Sequence, residues 1–164
     1  MNEISRIKKL TWDDYAKKVY ATIIHRHPQA CYIIMVNDYY GNDVINIKDD
    51  VHASRGQKFI GGESPKLFPT SSKPFPSVKD AKSFFKNKGN KQRLQIFLKQ
   101  EICKMATMDE RTVIYYTREE CTDISVQPEK PLPSLSCDHI EADTAMFFLY
   151  SEIREAGHKE PVVI

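Results

Sequence analysis

The chain has 164 residues, of which 41% are hydrophobic and 28% are charged, so it is long and apolar enough to form one folded domain. This composition excludes a disordered chain, and a formal net charge of only +2 does not by itself indicate a nucleic-acid partner. No stretch reaches the roughly 18 to 20 apolar residues of a membrane-spanning helix, and the N-terminus lacks the apolar core of a signal peptide. We therefore expect an intracellular protein, nuclear or cytoplasmic, without a membrane partner.

The first predicted elements are a helix over residues 11–26 and a strand over residues 31–36. Thr11 is a suitable N-cap, and Asp13 and Asp14 fall in the first turn, where negative charge suits the helix dipole. Apolar residues recur along this helix at spacings of three and four, which gives it one apolar face. The strand is a continuous apolar run, a pattern typical of a strand that is buried on both faces.

The later predicted elements alternate between helix and strand. They are a Pro/Gly-rich loop over 61–77, helices over 78–86 and 90–105, a strand over 112–117, a Pro-rich loop over 127–136, a helix over 138–156 and an apolar run over 161–164. This alternation predicts an α/β fold in which helices flank a mostly parallel central sheet. The final run begins a strand and does not continue it, so we expect the sheet to be incomplete.

The four cysteines are widely spaced and form no CxxC pair, which argues against a disulfide framework or a zinc knuckle. Buried or idle thiols explain them more simply. They are Cys31, Cys103, Cys121 and Cys137.

The densest acidic cluster comprises Asp138, Glu141 and Asp143, at the start of the last predicted helix. Carboxylate oxygens are the ligands that Mg²⁺ and Mn²⁺ prefer, and at a loop-to-helix junction these side chains can converge. The same residues also suit an acidic capping box, since acids stabilise a helix N-terminus without any metal. Both interpretations remain open from the sequence.

Asp38 follows the buried strand directly, so in a parallel sheet it would project from the carboxyl edge, where functional residues gather. The alternative is an Asx turn, since Asn-Asp commonly opens a loop. Lys48 and Arg55 are seven residues apart and share a face if their segment is helical. They could meet phosphate oxygens or could be two solvated surface charges.

Residues 57–93 form a basic, Pro/Gly-containing segment followed by a helix. Nine basic residues against two acidic residues give it a local charge of +7. Such a segment attracts phosphate backbones, although a solvated helix face gives the same pattern. The candidate nucleic-acid contacts are Lys79, Lys82, Lys86, Lys88, Lys91 and Arg93.

Taken in order, these motifs resemble the PIN-like nuclease superfamily, especially its flap-endonuclease branch and a group of uncharacterised animal proteins with such a domain. The segments that carry the resemblance are residues 33–39, Lys48 and Arg55, residues 87–91, residues 138–144, residues 157–159 and residues 162–164. Two features depart from the family pattern. Tyr39 stands where the family usually has glycine, and the family's first strand has no counterpart before residue 11. The family's Asp-x-Asp pair would fall just after Ile164, so residues 1–164 are expected to be a single partial PIN-like domain, incomplete at both ends.

The resemblance implies a metal-dependent nuclease that hydrolyses phosphodiester bonds of DNA or RNA. Asp38, Glu141 and Asp143 would be the catalytic carboxylates and would hold one or two Mg or Mn ions, while Lys48 and Arg55 would contact phosphate. We expect activity in the full-length protein and an inactive fragment here. The alternatives are a catalytically inactive nucleic-acid-binding module and a protein-interaction scaffold with the same fold.

Overall fold

The computed structural model of the chain describes residues 10–38, 69–85, 87–137, 142–158 and 161–164. The centre of these ranges is a five-stranded sheet in the order β4-β3-β2-β1-β5. The strands are β1 (Tyr32–Val36), β2 (Thr112–Thr117), β3 (Glu120–Asp123), β4 (Lys130–Pro131) and β5 (Val162–Val163). The described helices are α1 (Trp12–Arg26), α2 (Val78–Phe84), α3 (Lys88–Ala106) and α4 (Ala142–Glu155), with a short 3-10 helix at Pro133–Leu135.

The sheet is mixed, so the prediction of a mostly parallel sheet is wrong. Strand β1 is parallel to both of its neighbours, β2 and β5, whereas β3 runs antiparallel to β2 and β4. The cause is local, because only Arg118 and Glu119 separate β2 from β3. A two-residue link can only reverse the chain into a hairpin, whereas a parallel return needs a longer crossover. The α/β class itself is confirmed.

Each face of the sheet carries its own core. On one face, α1 and α3 cover Ile33, Met35 and Val113, and on the other face α4 packs on Ile34 and Ile114. The three central residues of β1 are at most 9% exposed. This burial on both faces confirms the expectation for β1 from its continuous apolar run.

A third cluster surrounds the chain's single tryptophan, which is 1% exposed. Trp12 makes edge contacts with the rings of Phe75 and Phe97, at centroid distances of 4.7 and 6.2 Å, and a tilted contact with Phe84 at 5.3 Å. This aromatic cluster fastens the start of α1 to α2 and α3. The predicted cap of α1 is confirmed, since Thr11 and Asp14 form a reciprocal capping box with bonds of 3.1 and 2.9 Å.

The remaining boundaries follow the predictions with some differences. Helices α2 and α3 differ by one or two residues at their ends from the predicted ranges 78–86 and 90–105. The predicted loop 127–136 contains β4 and the 3-10 helix, and β3 was not predicted. Residues 39–68, which hold the predicted turn, the Lys48 and Arg55 pair and the start of the Pro/Gly loop, lie outside the described residues, as do residues 138–141.

Candidate functional site

Asp38 lies at the carboxyl edge of the sheet, where the sequence places it. Asn37 still belongs to the sheet ladder, because its backbone N–H donates to the carbonyl of Tyr116 at 3.0 Å. Its side-chain Nδ2 donates to the carbonyls of Met35 and Tyr116 at 3.3 and 3.4 Å. Because Asn37 is held by two strands, Asp38, two residues past the end of β1, begins at the edge of the sheet.

The Asp38 side chain reaches the start of α4. Its Oδ1 accepts a hydrogen bond of 3.1 Å from the backbone N–H of Ala142, the first residue of that helix. The first N–H groups of a helix have no partner within the helix, and the helix dipole favours negative charge at this end. Asp38 therefore satisfies one of these donors from a distant part of the chain.

Asp143 follows Ala142 directly and is exposed in the first turn of α4. The two described carboxylates of the predicted site therefore lie at the same helix end, one on the sheet and one on the helix. Asp138 and Glu141, the other acids of the cluster, lie outside the described residues. The Asx-turn alternative for Asp38 also depends on residues outside the described ranges.

The donor chemistry of this end fits a hard divalent ion in part. Carboxylate oxygens are the ligands that Mg²⁺ and Mn²⁺ prefer in proteins. Among the described residues, no group of three or more His, Cys, Asp or Glu side chains could hold a metal ion. A complete ligand set at this place would therefore have to include residues outside the described ranges, such as the predicted Glu141.

Helix α3 connects the basic segment to this site. Gln95 donates from Nε2 to the backbone carbonyl of Asp38 at 3.1 Å. Lys88, Lys91 and Gln95 are spaced by three and four residues, so they lie on one side of the helix. The seven residues from Lys88 to Gln95 span about 10 Å of helix. The positions of Lys88 and Lys91 therefore lie in a row that ends at Gln95, next to Asp38. No sequence signal distinguished Gln95 from an ordinary polar residue of an amphipathic helix.

The described residues of the predicted basic segment divide between two helices, α2 and α3. Arg93 is two residues from Lys91, and two residues of α-helix turn through about 200°, so their side chains leave the helix on opposite sides. Lys79 and Lys82 both lie in α2, about one turn apart. Lys86, Lys48 and Arg55 lie outside the described residues.

The asparagines of the predicted Asn-Lys stretch have a structural role. Asn87 caps α3, accepting a bond of 3.0 Å from the N–H of Asn90, and both side chains are buried. The Asn90 side chain donates to the carbonyl of Phe84 at 3.3 Å, which ties α3 to the end of α2. The start of α3, where Lys88 and Lys91 lie, is therefore held in a fixed position.

All four cysteines are free thiols, and two of them, Cys103 and Cys121, are buried. Burial is the main cause that raises the pKa of Cys121 to about 12, so this thiol stays protonated at neutral pH. A thiolate is the nucleophilic form, so Cys121 is not an activated nucleophile.

The chain matches no protein-family profile, and neither a curated protein nor a solved structure matches it. Of the helices that the structure describes, none combines the length and the hydropathy needed to cross a membrane.

Proposed function

We propose that this chain carries a metal-dependent nuclease site that hydrolyses phosphodiester bonds of DNA or RNA. The observation that carries the proposal is the hydrogen bond between Asp38 Oδ1 and the N–H of Ala142. It joins the acid after β1 to the helix turn that contains Asp143, although the two segments are distant in sequence. Acids from separate elements at the carboxyl edge of a sheet are a common arrangement for a metal site.

In this proposal, Asp38, Asp143 and Glu141 hold one or two Mg or Mn ions. Such an ion, when bound, activates a water molecule and offsets charge on the phosphate oxygens. Asp38 contributes rigidity, because its backbone is bonded to Gln95 and its side chain to Ala142. A carboxylate held by its own neighbours loses little conformational freedom when it binds a cation.

Nucleic acid would approach along α3. Lys88 and Lys91 lie on the side of the helix that carries Gln95, which contacts Asp38. A row of cations leading to a carboxylate site attracts a phosphate backbone without reading its sequence. Lys48 and Arg55 would contact the phosphate nearest the metal.

A second candidate is a nucleic-acid-binding module without catalysis. The observation that favours it is the same bond of 3.1 Å, because capping α4 is a sufficient structural role for Asp38. In this case the acids stabilise the helix start and the lysines bind nucleic acid.

The test is Mn²⁺-dependent cleavage of end-labelled DNA and RNA by the full-length protein and its Asp143→Asn variant, together with calorimetric titration of Mn²⁺. The nuclease proposal predicts that the variant loses cleavage and Mn²⁺ binding. Glu155→Gln, at the opposite end of the same helix, is the matched control and should cleave normally. Nucleic-acid binding without cleavage or Mn²⁺ binding would favour the second candidate, and no binding of DNA or RNA would contradict both.

A further inference from the structure

Asp38 is bonded to helices on both faces of the sheet. Helix α3 packs on the face that carries Ile33, and α4 packs on the face that carries Ile34. The backbone carbonyl of Asp38 accepts a bond of 3.1 Å from Nε2 of Gln95 in α3. Its side-chain Oδ1 accepts a bond of 3.1 Å from the N–H of Ala142 in α4. The position of Asp38 is therefore set by two helices as well as by its own strand.

The backbone is held on both sides of Asp38, in two different ways. Before it, the sheet holds Asn37, whose N–H donates to the carbonyl of Tyr116 at 3.0 Å. After it, the bond from Gln95 to the Asp38 carbonyl fixes the plane of the next peptide group. The backbone atoms on both sides of Cα determine the direction in which a side chain leaves it. Gln95 and the sheet together therefore determine where the Asp38 carboxylate points.

The chemistry of Gln95 suits a residue that supports a cation ligand. Its amide nitrogen is a neutral donor, so it holds the Asp38 carbonyl without bringing a positive charge near the carboxylate. A lysine at the same place would be attracted to the carboxylate and would compete with a bound cation. Removing a residue that orients a metal ligand typically costs about 10- to 100-fold in metal affinity or activity.

We propose that Gln95 is a positioning residue, whose amide holds the Asp38 carboxylate in the orientation that binds Mg²⁺ or Mn²⁺. Gln95 acts through Asp38 and does not itself bind the cation. This inference rests on the proposed function, because the cation is the one proposed for that site. The orientation of Asp38 can nevertheless be measured in the metal-free chain.

The first measurement is NMR hydrogen exchange of the Ala142 amide in the metal-free full chain. Gln95→Met keeps an unbranched side chain of similar length and removes the donor. The bond from Ala142 to Asp38 should then open more often. We expect Ala142 to exchange about two- to tenfold faster relative to the amides of β1, which report global unfolding. An unchanged rate overturns the proposal.

The second measurement distinguishes positioning from a bond that only stabilises the fold. In Gln95→Met, calorimetric titration should show a loss of about 10- to 100-fold in Mn²⁺ affinity. At a fixed Mn²⁺ concentration below saturation, kcat for cleavage should fall while KM for the nucleic acid stays unchanged. Gln100→Met is the matched control, because Gln100 is an exposed glutamine of the same helix, and it should leave all these values unchanged.

A second variant, Gln95→Lys, tests the requirement for a neutral donor. It restores a donor to the Asp38 carbonyl and adds a positive charge. The Ala142 amide should therefore exchange at the rate of the unaltered chain, whereas Mn²⁺ affinity should stay low. Full recovery of Mn²⁺ affinity in Gln95→Lys would contradict the requirement for a neutral donor and support positioning through the carbonyl alone.

The outcomes separate this inference from the proposed function. If the unaltered chain neither binds Mn²⁺ nor cleaves, the proposed function fails, and this inference fails with it. If Gln95→Met binds Mn²⁺ and cleaves as the unaltered chain does, only this inference is overturned. Faster exchange of Ala142 would then show that the bond from Gln95 is structural. An equal loss of Mn²⁺ affinity in Gln100→Met also overturns it.

Discussion

Asp38 Oδ1 accepts the backbone N–H of Ala142, a residue 104 positions later in the chain, at 3.1 Å. The same carboxylate is a proposed metal ligand, so two different variants can separate its roles. Asp38→Ala removes both the helix cap and the charge, whereas Asp38→Asn keeps a side-chain oxygen that can accept the bond.

We expect Asp38→Ala to lower the free energy of unfolding by about 1 kcal/mol and Asp38→Asn to lower it by only a few tenths. Both variants should lose Mn²⁺ binding if Asp38 is a ligand. Urea unfolding and calorimetric Mn²⁺ titration measure the two effects separately. Unchanged Mn²⁺ binding by Asp38→Asn would restrict this residue to the structural role.

Lys91 should contribute one phosphate contact to nucleic-acid binding. In Lys91→Gln, the slope of log affinity against log salt concentration should become shallower by about 0.7 to 0.9, the value expected for one phosphate on single-stranded or duplex DNA. Lys104→Gln is the matched control, because Lys104 lies 13 residues further along α3, about 20 Å away. Equal slopes for both variants and the unaltered chain would remove Lys91 from the binding surface.

Lys99 joins α3 to the hairpin side of the sheet. Its Nζ lies 2.5 Å from an oxygen of Glu120 and 2.6 Å from one of Glu129, and its side chain is 17% exposed. Lys99→Met would leave two carboxylates near each other without their cation. Because both glutamates are about a third or more exposed, solvent screens part of this cost, and we expect a loss of about 1 to 2 kcal/mol in urea unfolding.

Lys17 provides the comparison for Lys99, since it forms an exposed pair with Asp13 in which the lysine side chain is 62% exposed. Lys17→Met should leave the free energy of unfolding nearly unchanged, because solvent screens an exposed pair. If both variants lose equal stability, the burial of Lys99 has no energetic consequence.

Tyr20 should make stability depend on alkaline pH. Burial, followed by the Asp109 carboxylate to which the hydroxyl donates at 3.2 Å, raises its pKa to about 12. An unfolded tyrosine has a pKa of about 10, so the folded state retains this proton longer. The stabilisation is therefore complete below pH 10 and is lost as the pH rises through 12.

In Tyr20→Phe, the free energy of unfolding should fall less steeply between pH 10 and 12, by up to about 1.4 kcal/mol per pH unit. Urea unfolding at a series of pH values measures this slope. An unchanged slope in Tyr20→Phe would contradict the burial effect.

Local signals account for the elements that the sequence predicted well. Thr11 and Asp14 determine where α1 starts, and Pro28 limits its extent, so both boundaries are encoded within a few residues. Strand β1 was predictable because an unbroken apolar run is stable only when covered on both faces. In β3, by contrast, Glu120 and Asp123 flank only two buried residues, and the preceding link lacks glycine or asparagine. Pairing with β2, rather than local preference, makes this segment a strand.

The candidate site was likewise predictable from the sequence only in part. An acid directly after a buried strand marks the edge of a sheet, so the position of Asp38 was predictable. Its partners were not, because nothing near Ala142 or Gln95 in the sequence indicates a bond to a residue 104 or 57 positions away. The excess of basic residues over 57–93 predicted a local positive charge, whereas the turn of α3 sends the side chains of Lys91 and Arg93 to opposite sides of the helix.

The sheet order has a consequence for how the protein folds. Strands β2 and β3 are joined by a two-residue link and can pair as soon as they are made, whereas β1 pairs with β2 and β5 across about 80 and 130 residues of chain. Contacts between distant segments form late, because the entropy of the intervening chain must be lost first. The junction of Asp38 with α4 depends on these late contacts. A folding intermediate that contained only the β2–β3 hairpin would therefore lack the proposed site.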